Sequence, residues 1–198
     1  GKFDLDQIVR GNSIGFENVS YLYPLFSRIN HSCRGNTQWK HIDGLQYLRC
    51  LRSIKANEEI LACYSSRCSS TFETRQSYLQ AFFKFTCSCE VCQEKGADDE
   101  ERMKIKSLYD LIANQMHSFK YNEALKSSME HIRLLKKVGR LYDLSAGYYD
   151  AHQAAMYGKQ PQKAHDLLKE AHKYAKLFKG ENHPDTIDLK TKLLRKND

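Results

Sequence analysis

The chain has 198 residues, a net charge of +7 and an isoelectric point near 9.0. Its hydrophobic content of 41% is enough for a packed core, which excludes wholesale disorder. The basic balance permits attraction to nucleic acid, but acidic residues are interleaved with the basic ones, so we do not expect nucleic acid as a partner. No apolar run is long enough to cross a bilayer, and we expect no membrane partner either.

The seven cysteines are the strongest compositional signal. The chain opens without a signal peptide, which favours reduced thiols and metal binding over disulfides. Reduced thiols in turn predict the nucleus, the cytoplasm or both as the compartment. The first residue is Gly1 rather than methionine, and this predicts a fragment or a processed chain.

Up to about residue 96 the chain is rich in cysteines and aromatic residues, in short strand-like runs. Thr37–Ile42 and Leu45–Ile54 are separated by Asp43-Gly44, which is a strong signal for a β-hairpin. Ile60–Tyr64 is then predicted to be a short buried strand.

Helical patterns follow these strands. A capping box at Ser70–Glu73 predicts a helix that runs to about Phe83. A polar hinge at residues 96–101 predicts a linker. Beyond it the chain is predicted to be wholly helical, with helices at Met103–Phe119, Tyr121–Val138, Leu144–Tyr157, Gln162–Phe178 and Pro184–Arg195.

Two of these helices resemble each other in sequence. Ala124 and Ala164 stand 40 residues apart in similar settings. Small residues that recur in helix pairs favour tetratricopeptide-like (TPR-like) packing, because close approach of helices needs Ala or Gly. An irregular helical bundle is the alternative. Helices of the TPR kind bind peptide tails of other proteins, so we expect such tails as partners of this region.

A cysteine cluster closes the first part of the chain. Cys87, Cys89 and Cys92 form the pattern Cys-x-Cys-x-x-Cys. Three thiolates in one tight loop are typical of structural zinc sites, which four ligands usually close, so a fourth ligand must come from elsewhere. The alternative is a set of buried or free thiols, which is how we interpret Cys50 and Cys63 in their strand-like runs.

Two upstream motifs accompany the cluster. Asn30-His31-Ser32-Cys33-Arg34-Gly35-Asn36 comes first, and Glu58-Glu59-Ile60-Leu61-Ala62-Cys63-Tyr64 follows it. In this order the motifs resemble the C-terminal half of a SET-domain methyltransferase with its post-SET zinc site, and most of all the TPR-rich branch of the SET-and-MYND family. The resemblance covers residues 5–96 by motif and the remainder by architecture. It implies transfer of a methyl group from S-adenosylmethionine (SAM) to a lysine of a histone or non-histone protein.

The resemblance also implies roles for individual residues. Asn30 and His31 are implied as SAM contacts, through the Asn side chain at the amino-acid end and the His main chain at the adenine edge. Tyr64 is implied as the active-site residue that orients the lysine amine and the methyl group. Phe85 is implied to cover the adenine ring, and Phe83 to line the lysine channel, where an aromatic face suits an ammonium group.

Further residues follow from the same resemblance. Asn12, in Gly11-Asn12-Ser13-Ile14, and Ser27, three residues before Asn30, are implied as additional SAM contacts. The resemblance implies that Cys33 is the fourth zinc ligand, with His31 and Cys68 as alternatives. The zinc ligands are then Cys33, Cys87, Cys89 and Cys92, and a site so divided along the chain couples metal binding to folding.

The sequence departs from the family pattern in three ways. Arg34-Gly35 stand where an acidic residue and Pro are usual, and Gly35 predicts a looser turn than Pro would give. Phe83 replaces a residue that is often Tyr, which removes a hydroxyl able to hydrogen-bond the amine. The family's Gly-x-Gly cofactor loop and its MYND zinc finger do not occur in the chain, so we expect this stretch alone to show no turnover.

The predicted fold is therefore α+β. Residues 1–70 are predicted to form the C-terminal part of a SET-type β core, residues 71–96 a post-SET helix and zinc loop, and residues 97–198 an all-α TPR-like domain. The predicted function is that of a protein-lysine N-methyltransferase that uses SAM and Zn²⁺. The alternative, favoured by Arg34-Gly35 and Phe83, is a non-catalytic zinc-stabilised scaffold that binds partner proteins. A nucleic-acid-binding zinc module rests on the basic charge alone, and predicts binding that weakens steeply with salt.

Overall fold

The computed structural model describes residues 5–16, 18–42, 44–65 and 69–195. Asp43 of the predicted hairpin turn and the alternative zinc ligand Cys68 lie outside the described residues. The chain divides into two compact units, residues 1–97 and residues 98–198. Within the described ranges, no helix has both the length and the apolar character that crossing a membrane requires.

The first unit combines short strands with three helices. Among the described residues, a helix precedes the strands, a 3₁₀ turn at Phe26–Arg28 interrupts them, and two further helices follow them. The elements are α1 (Leu5–Asn12), β1 (Ser13–Phe16), β2 (Val19–Leu22), β3 (Asn30–His31), β4 (Thr37–Ile42), β5 (Leu45–Cys50), β6 (Leu61–Ala62), α2 (Phe72–Phe83) and α3 (Glu90–Gln93).

Two small sheets result from these strands. Strands β1 and β2 form an antiparallel pair, and the second sheet has the order β3-β6-β4-β5. Strand β6 lies parallel to both of its neighbours, with Asn30 opposite Leu61 and with Thr37 opposite Ala62. The β4–β5 hairpin predicted from the sequence is present, although β5 ends at Cys50 rather than at Ile54. The parallel insertion of β6 brings two segments that are distant in sequence, residues 30–37 and 61–62, side by side.

Gly35 and Asn36 hold β6 in place. A β-carbon at Gly35 would lie 2.7 Å from the Leu61 carbonyl oxygen, so the absence of a side chain is what lets the two backbones pass. The buried Asn36 then donates through Nδ2 to the Glu59 carbonyl at 2.8 Å and accepts from the Leu61 amide at 2.8 Å. Gly35 therefore allows a close approach of two backbones, and the looser turn expected of it stays a prediction.

The N-cap of the helix after the strands lies one residue later than the sequence predicts. Thr71 is the N-cap of α2, and its side chain makes no capping hydrogen bond to the backbone. Its hydroxyl instead lies 3.0 Å from that of Thr74, so the predicted capping box is wrong, although the helix itself is confirmed. The helix ends at Phe83. Its C-cap, Lys84, takes the left-handed conformation with φ of 60° and redirects the chain toward the cysteine cluster.

The second unit is entirely helical. Its elements are α4 (Asp99–His117), α5 (Tyr121–Lys137), α6 (Leu144–Tyr157), α7 (Pro161–Lys179) and α8 (Pro184–Leu194), with a 3₁₀ turn at Leu141–Asp143. Consecutive helices pack on one another, and buried Ala and Leu side chains fill the space between them. Five helices were predicted here, and each is present with ends within a few residues of the prediction.

A 40-residue repeat is visible in the turns of this unit. Phe119 follows α4 with φ of 60°, and Lys159, 40 residues later, follows α6 with φ of 57°. The same backbone bonds close both turns, for example Lys120 to the Gln115 carbonyl and Gln160 to the Ala155 carbonyl, each at 2.9 Å. The TPR-like pairing of helices predicted from Ala124 and Ala164 thus has a structural counterpart.

Together the two units confirm the predicted fold class, a small mixed β core followed by an all-α region. The division of the first unit at residue 70 into a core and a post-SET segment stays a prediction.

Candidate functional site

A cleft of about 1230 Å³ lies within the first unit. Its walls come from α1, from β3 with the neighbouring residues 59–64, and from the end of α2 with the loop that follows it. Six of the predicted cofactor, substrate and catalytic residues line it: Asn12, Asn30, His31, Tyr64, Phe83 and Phe85. The fold therefore brings together residues that are up to 73 positions apart (12 to 85) in the sequence.

Asn30 is held by an acidic neighbour that the sequence analysis did not single out. Its Nδ2 donates to Glu59 Oε1 at 2.6 Å, and both residues line the cleft. The carboxylate engages one of the two N–H donors of the Asn30 amide, and Oδ1 remains as its acceptor atom. The pair therefore offers oxygen atoms, which suit a cationic or hydrogen-bond-donating group of a ligand.

The His31 side chain lies between the cleft and the cysteines. Its Nδ1 accepts a hydrogen bond from the Tyr64 backbone N–H at 3.1 Å, and its Nε2 lies 3.4 Å from Cys33 Sγ. Burial lowers the pKa of His31 to about 4, so the imidazole is neutral near pH 7. His31 is a neighbour of the cysteine cluster through Cys33, whereas the cluster itself contains four sulfurs without it.

Tyr64 follows β6 and reaches back across β3. Its hydroxyl donates to the Ile29 carbonyl at 2.6 Å. Burial and then the nearby Glu59 carboxylate raise the pKa of Tyr64, so the phenol keeps its proton at physiological pH. A neutral phenol with its proton directed at a carbonyl has its oxygen lone pairs available as an acceptor.

Aromatic rings surround Tyr64. Its ring centroid lies 5.0 Å from that of His31, 5.2 Å from Phe83 and 6.4 Å from Phe85. The left-handed Lys84 between the two phenylalanines turns the chain so that both rings face the same cleft. The result is a partly buried aromatic wall, which can bind flat or cationic ligand groups.

Ser27 and Asn12 occupy the margin of this region. Asn12 lines the large cleft and also a small adjoining cavity of about 70 Å³, whereas Ser27 lines only the small one. Both side chains bond locally, Asn12 Nδ2 to the Ile8 carbonyl at 2.8 Å and Ser27 Oγ to the Pro24 carbonyl at 3.1 Å. Tyr64 and Phe83 border both spaces, so Ser27 lies beside the cleft without reaching into it. The contacts of Asn12 and Ser27 with SAM stay predictions.

The four cysteines predicted as zinc ligands converge at one point. The sulfur atoms of Cys33, Cys87, Cys89 and Cys92 all lie within 4.8 Å of one another, and those of Cys33 and Cys92 are 3.6 Å apart. Zinc–sulfur bonds of about 2.3 Å in a tetrahedron place neighbouring sulfurs about 3.8 Å apart. The donor set and its spacing therefore fit a tetrahedral metal ion.

The protonation of the cysteine cluster also fits a site for a metal ion. Hydrogen bonds with Cys87 and Cys89, together with burial, raise the pKa of the Cys33 thiol, while hydrogen bonds from Cys33 and Cys87 lower that of Cys89. Four closely spaced thiols cannot all be ionised without a cation, so some of them keep their protons. A divalent ion that binds thiolates would replace those protons, which makes its affinity dependent on pH.

The remaining cysteines behave differently from the prediction. Cys50 is exposed at the end of β5, so it is not the core residue that its strand-like run suggested. Cys63 is disulfide-bonded, against the expectation of reduced thiols, whereas the other five described cysteines are free.

Glu59, Lys84 and Asn36 are the residues of this region that sequence reasoning missed. Glu59 and Lys84 line the cleft, and Asn36 fixes β6 beneath it. Glu59 and Asn36 lie inside the quoted motifs and Lys84 lies between Phe83 and Phe85, so a polar residue beside a matched position was the available signal.

Comparison with known proteins agrees with this geometry. A model of the SET domain family matches residues 3–65. A SET and MYND domain-containing protein of Dictyostelium discoideum is 34% identical over 85 residues, which is 42% of this chain and 7% of that protein. The human protein-lysine N-methyltransferase SMYD4 is 34% identical over 76 residues, 38% of this chain and 10% of its own length. The mouse SMYD4 is 27% identical over 164 residues, 80% of this chain and 20% of its own length.

The chain thus spans between 7% and 20% of the length of these three relatives. The match to the SET model lies in the first unit, where the cleft and the cysteine cluster are found. Residues 3–65 are thus similar to the SET domain family, and longer stretches of the chain are similar to proteins of the SET-and-MYND group.

Proposed function

We propose that the protein carrying this chain is a SAM-dependent protein-lysine N-methyltransferase. The observation that supports it most is the convergence of Asn30, His31, Tyr64, Phe83 and Phe85 on one cleft. Ligand pockets of about 300–1000 Å³ hold cofactor-sized molecules, and this open cleft exceeds that range. When bound, SAM supplies an electrophilic methyl group on a sulfonium.

Polar and aromatic groups of the cleft match the parts of such a cofactor. The oxygen atoms of the Asn30–Glu59 pair suit its α-ammonium group, and the Phe85 ring suits its adenine. The four-sulfur cluster suits Zn²⁺, which in an all-thiolate site is structural and takes no part in the chemistry. Zinc would hold the loop of Phe85 against β3, since Cys33 follows β3 and Cys87 follows Phe85.

Tyr64 is proposed to position the lysine amine rather than to remove its proton. Its own proton is directed at the Ile29 carbonyl, and its raised pKa keeps the phenol neutral, so its oxygen is an acceptor for an amine N–H. Attack needs a neutral amine, which releases its proton to solvent before transfer. With SAM bound, in-line transfer would form the nitrogen–carbon bond as the sulfur–carbon bond breaks, and the sulfur would leave as a neutral thioether. Holding amine and methyl group in that line is the contribution of the protein.

The aromatic wall suits the substrate side of this reaction. The centroids of the Phe83 and Tyr64 rings are 5.2 Å apart, so the two rings are in contact and can together line one side of an alkylammonium group. Phe83 has no hydroxyl to bind the amine, so Tyr64 is the proposed phenol acceptor among the described cleft residues.

The test uses the whole protein, methyl-labelled SAM and a lysate of acceptor proteins. Tyr64→Phe is expected to reduce label transfer by on the order of 100-fold while SAM binding persists, because it removes one positioning oxygen. Tyr47→Phe, an exposed tyrosine on β5, is the matched control and should transfer label normally. Absence of transfer by the parent, with zinc and SAM both bound, would contradict the proposal.

A second candidate function is that of a protein-binding scaffold, which the helical unit favours. Phe119, Tyr121 and Tyr157 form an exposed aromatic cluster at one end of its helices, with ring centroids 6.2 and 5.3 Å apart. Phe119 is 78% exposed and Tyr157 is 59% exposed, and clustered rings with this exposure are available for contact with a partner protein. Retention of a partner protein by the parent and its loss in Phe119→Ser, without methyl transfer by either, would favour this function.

A further inference from the structure

The His31 imidazole touches both functional parts of the first unit. On one side Nδ1 lies 3.1 Å from the Tyr64 backbone nitrogen, and on the other Nε2 lies 3.4 Å from Cys33 Sγ. Cys33 is in turn one of the four clustered sulfurs, 3.6 Å from Cys92 Sγ. A single side chain therefore spans the distance from the cysteine cluster to the backbone of the proposed active-site tyrosine.

The geometry fixes which nitrogen carries the proton. A backbone N–H can only donate, so Nδ1 of His31 must be the unprotonated nitrogen that accepts from Tyr64. A neutral imidazole then has its hydrogen on Nε2, which points at the Cys33 sulfur. The contact at 3.4 Å is thus an N–H···S hydrogen bond, with the sulfur as acceptor.

Packing leaves this ring little freedom. The Tyr64 ring lies 5.0 Å from the His31 centroid at an interplanar angle of 64°, and the Phe85 ring lies 5.8 Å away at 59°. Phe85 is two residues before Cys87, so the ring that confines His31 is itself held by the cysteine loop. We therefore expect a displacement of the sulfurs to move the imidazole rather than to be absorbed by rotation of its ring.

We propose that His31 is a positioning residue that couples the metal centre to the cleft. With its Nε2–H on the Cys33 sulfur and its Nδ1 on the Tyr64 amide, it sets the position of Tyr64 according to the state of the metal site. Groups that hydrogen-bond to metal ligands orient them, and their loss typically costs 10–100-fold in metal affinity or activity. The inference rests on the proposed function only through Tyr64, and its tests measure zinc and one backbone amide instead of turnover.

The first test measures the rate at which zinc passes from the loaded protein to a colorimetric chelator. His31→Leu removes both hydrogen bonds at similar volume, and we expect zinc release to be 10–100-fold faster. His41→Leu is the matched control, because His41 is a part-buried histidine of the same unit whose ring bonds to the Tyr23 hydroxyl at 2.9 Å, away from the cysteines. Release from His31→Leu at the rate of the control would overturn the proposal.

The second test separates the two ends of the imidazole. A glutamine amide reaches the position of Nε2 and an asparagine oxygen that of Nδ1. We therefore expect His31→Gln to restore slow zinc release but to leave the Tyr64 amide exchanging rapidly with solvent hydrogen. His31→Asn should do the reverse. Faster exchange across the whole unit in both variants, including the β4–β5 hairpin, would make His31 a packing residue only and would overturn the proposal.

The coupling itself is tested by exchanging zinc for cadmium, a larger ion that moves the sulfurs outward. We expect the exchange rate of the Tyr64 amide to change at least two-fold in the parent and to stay constant in His31→Leu. An equal response in both proteins would overturn the proposal. Failure of methyl transfer with these results intact would refute only the proposed enzymatic activity.

Discussion

The two units of the molecule are stabilised in different ways. In the helical unit, Ala and Leu side chains such as Leu135, Ala151 and Ala171 are fully buried and form one continuous apolar core. In the first unit the buried apolar cluster consists of Leu79 and Val91 together with three cysteines. The first unit has side-chain hydrogen bonds such as those of Asn36, and four clustered sulfurs that could bind a metal ion.

The helical unit is thus stabilised by burial of apolar side chains, and the first unit depends more on specific bonds. A core of aliphatic side chains tolerates many changes at a modest cost each, because the hydrophobic effect is non-directional. A unit held by a metal and a few polar bonds depends on individual atoms. The same arrangement places those atoms next to the cleft, so the stability of the first unit and the geometry of its site depend on the same residues.

Removal of the metal should give the largest effect. We expect a chelator to unfold the first unit and to leave the helical unit folded, since structural zinc contributes about 10–16 kcal/mol in small zinc domains. Hydrogen exchange followed by mass spectrometry would localise the loss of protection to residues 1–97. Cys87→Ser should reproduce the effect, and Cys50→Ser, at an exposed and free cysteine, should not. Protection of residues 1–97 that survives chelation would mean that the two units do not differ in the way described.

Truncation of the helical core should act on the other unit alone. Leu135 is fully buried in α5, and Leu135→Ala is expected to lower the free energy of unfolding of the helical unit by about 2–5 kcal/mol, because it leaves a cavity. Denaturant titration followed by far-UV circular dichroism measures this loss. Leu177→Ala, at a residue that is 52% exposed on α7, is the control with an expected change below about 0.5 kcal/mol. Faster zinc release from Leu135→Ala would show that the units are not independent in stability.

A methyl group at Gly35 should disturb the backbone crossing in the first unit. Gly35→Ala places a β-carbon 2.7 Å from the Leu61 carbonyl oxygen and 3.0 Å from the Ala62 Cα, both of which are backbone atoms. We expect a loss of about 1–3 kcal/mol in the stability of the first unit, as for other overpacked sites. Thermal unfolding of the zinc-loaded protein measures it, and Gly15→Ala, with open space around its β-carbon, is the control. Equal transitions for the two variants would contradict this account of the crossing.

The smallest effect is expected from Glu58, which accepts bonds from three partners. Hydrogen bonds from Arg52, from the Lys55 amide and from Asn36 lower the pKa of Glu58 to about 2, against about 4.3 in an unfolded chain. A depressed pKa stabilises the folded state above the unfolded value, and the contribution is lost as the pH falls toward 2.

We therefore expect Glu58→Gln to lower the unfolding temperature of the first unit slightly at pH 7. The difference from the parent should shrink between pH 4.5 and pH 2. Glu94→Gln, at an exposed residue, is the control. A difference that is constant with pH would mean that the charge of Glu58 does not stabilise the fold.

Much of this fold was accessible from local sequence patterns. The five helices after residue 98 follow from apolar periodicity and glycine stops, and the β4–β5 hairpin follows from a turn signal between two strand-like runs. Where local signals were weak, prediction failed. Helix α1 and the β1–β2 pair were not foreseen, and the capping box was displaced by the contact between Thr71 and Thr74.

The candidate site was accessible only in part. The motifs identified the residues, and the structure brings Asn30, His31, Tyr64 and the cysteines together. The bond from Asn30 to Glu59 and the two bonds of the His31 ring depend on the parallel pairing of β3 with β6. No short-range pattern specifies a parallel contact between strands that are 31 positions apart (30 to 61), so these bonds could not be predicted from the sequence.

The insertion of β6 between β3 and β4 also bears on the order in which the chain folds. Each helix of the second unit packs on its sequence neighbour, and such short loops close quickly. In contrast, β6 must pair with strands formed by residues 30–37, which precede it by more than 20 positions. The sulfur cluster around Cys33 can form only after Cys87, Cys89 and Cys92 have been synthesised. During synthesis the N-terminal unit emerges first, yet its last metal ligand is supplied only five residues before that unit ends (92 to 97). The half of the molecule that is made first is therefore expected to be the slower half to fold.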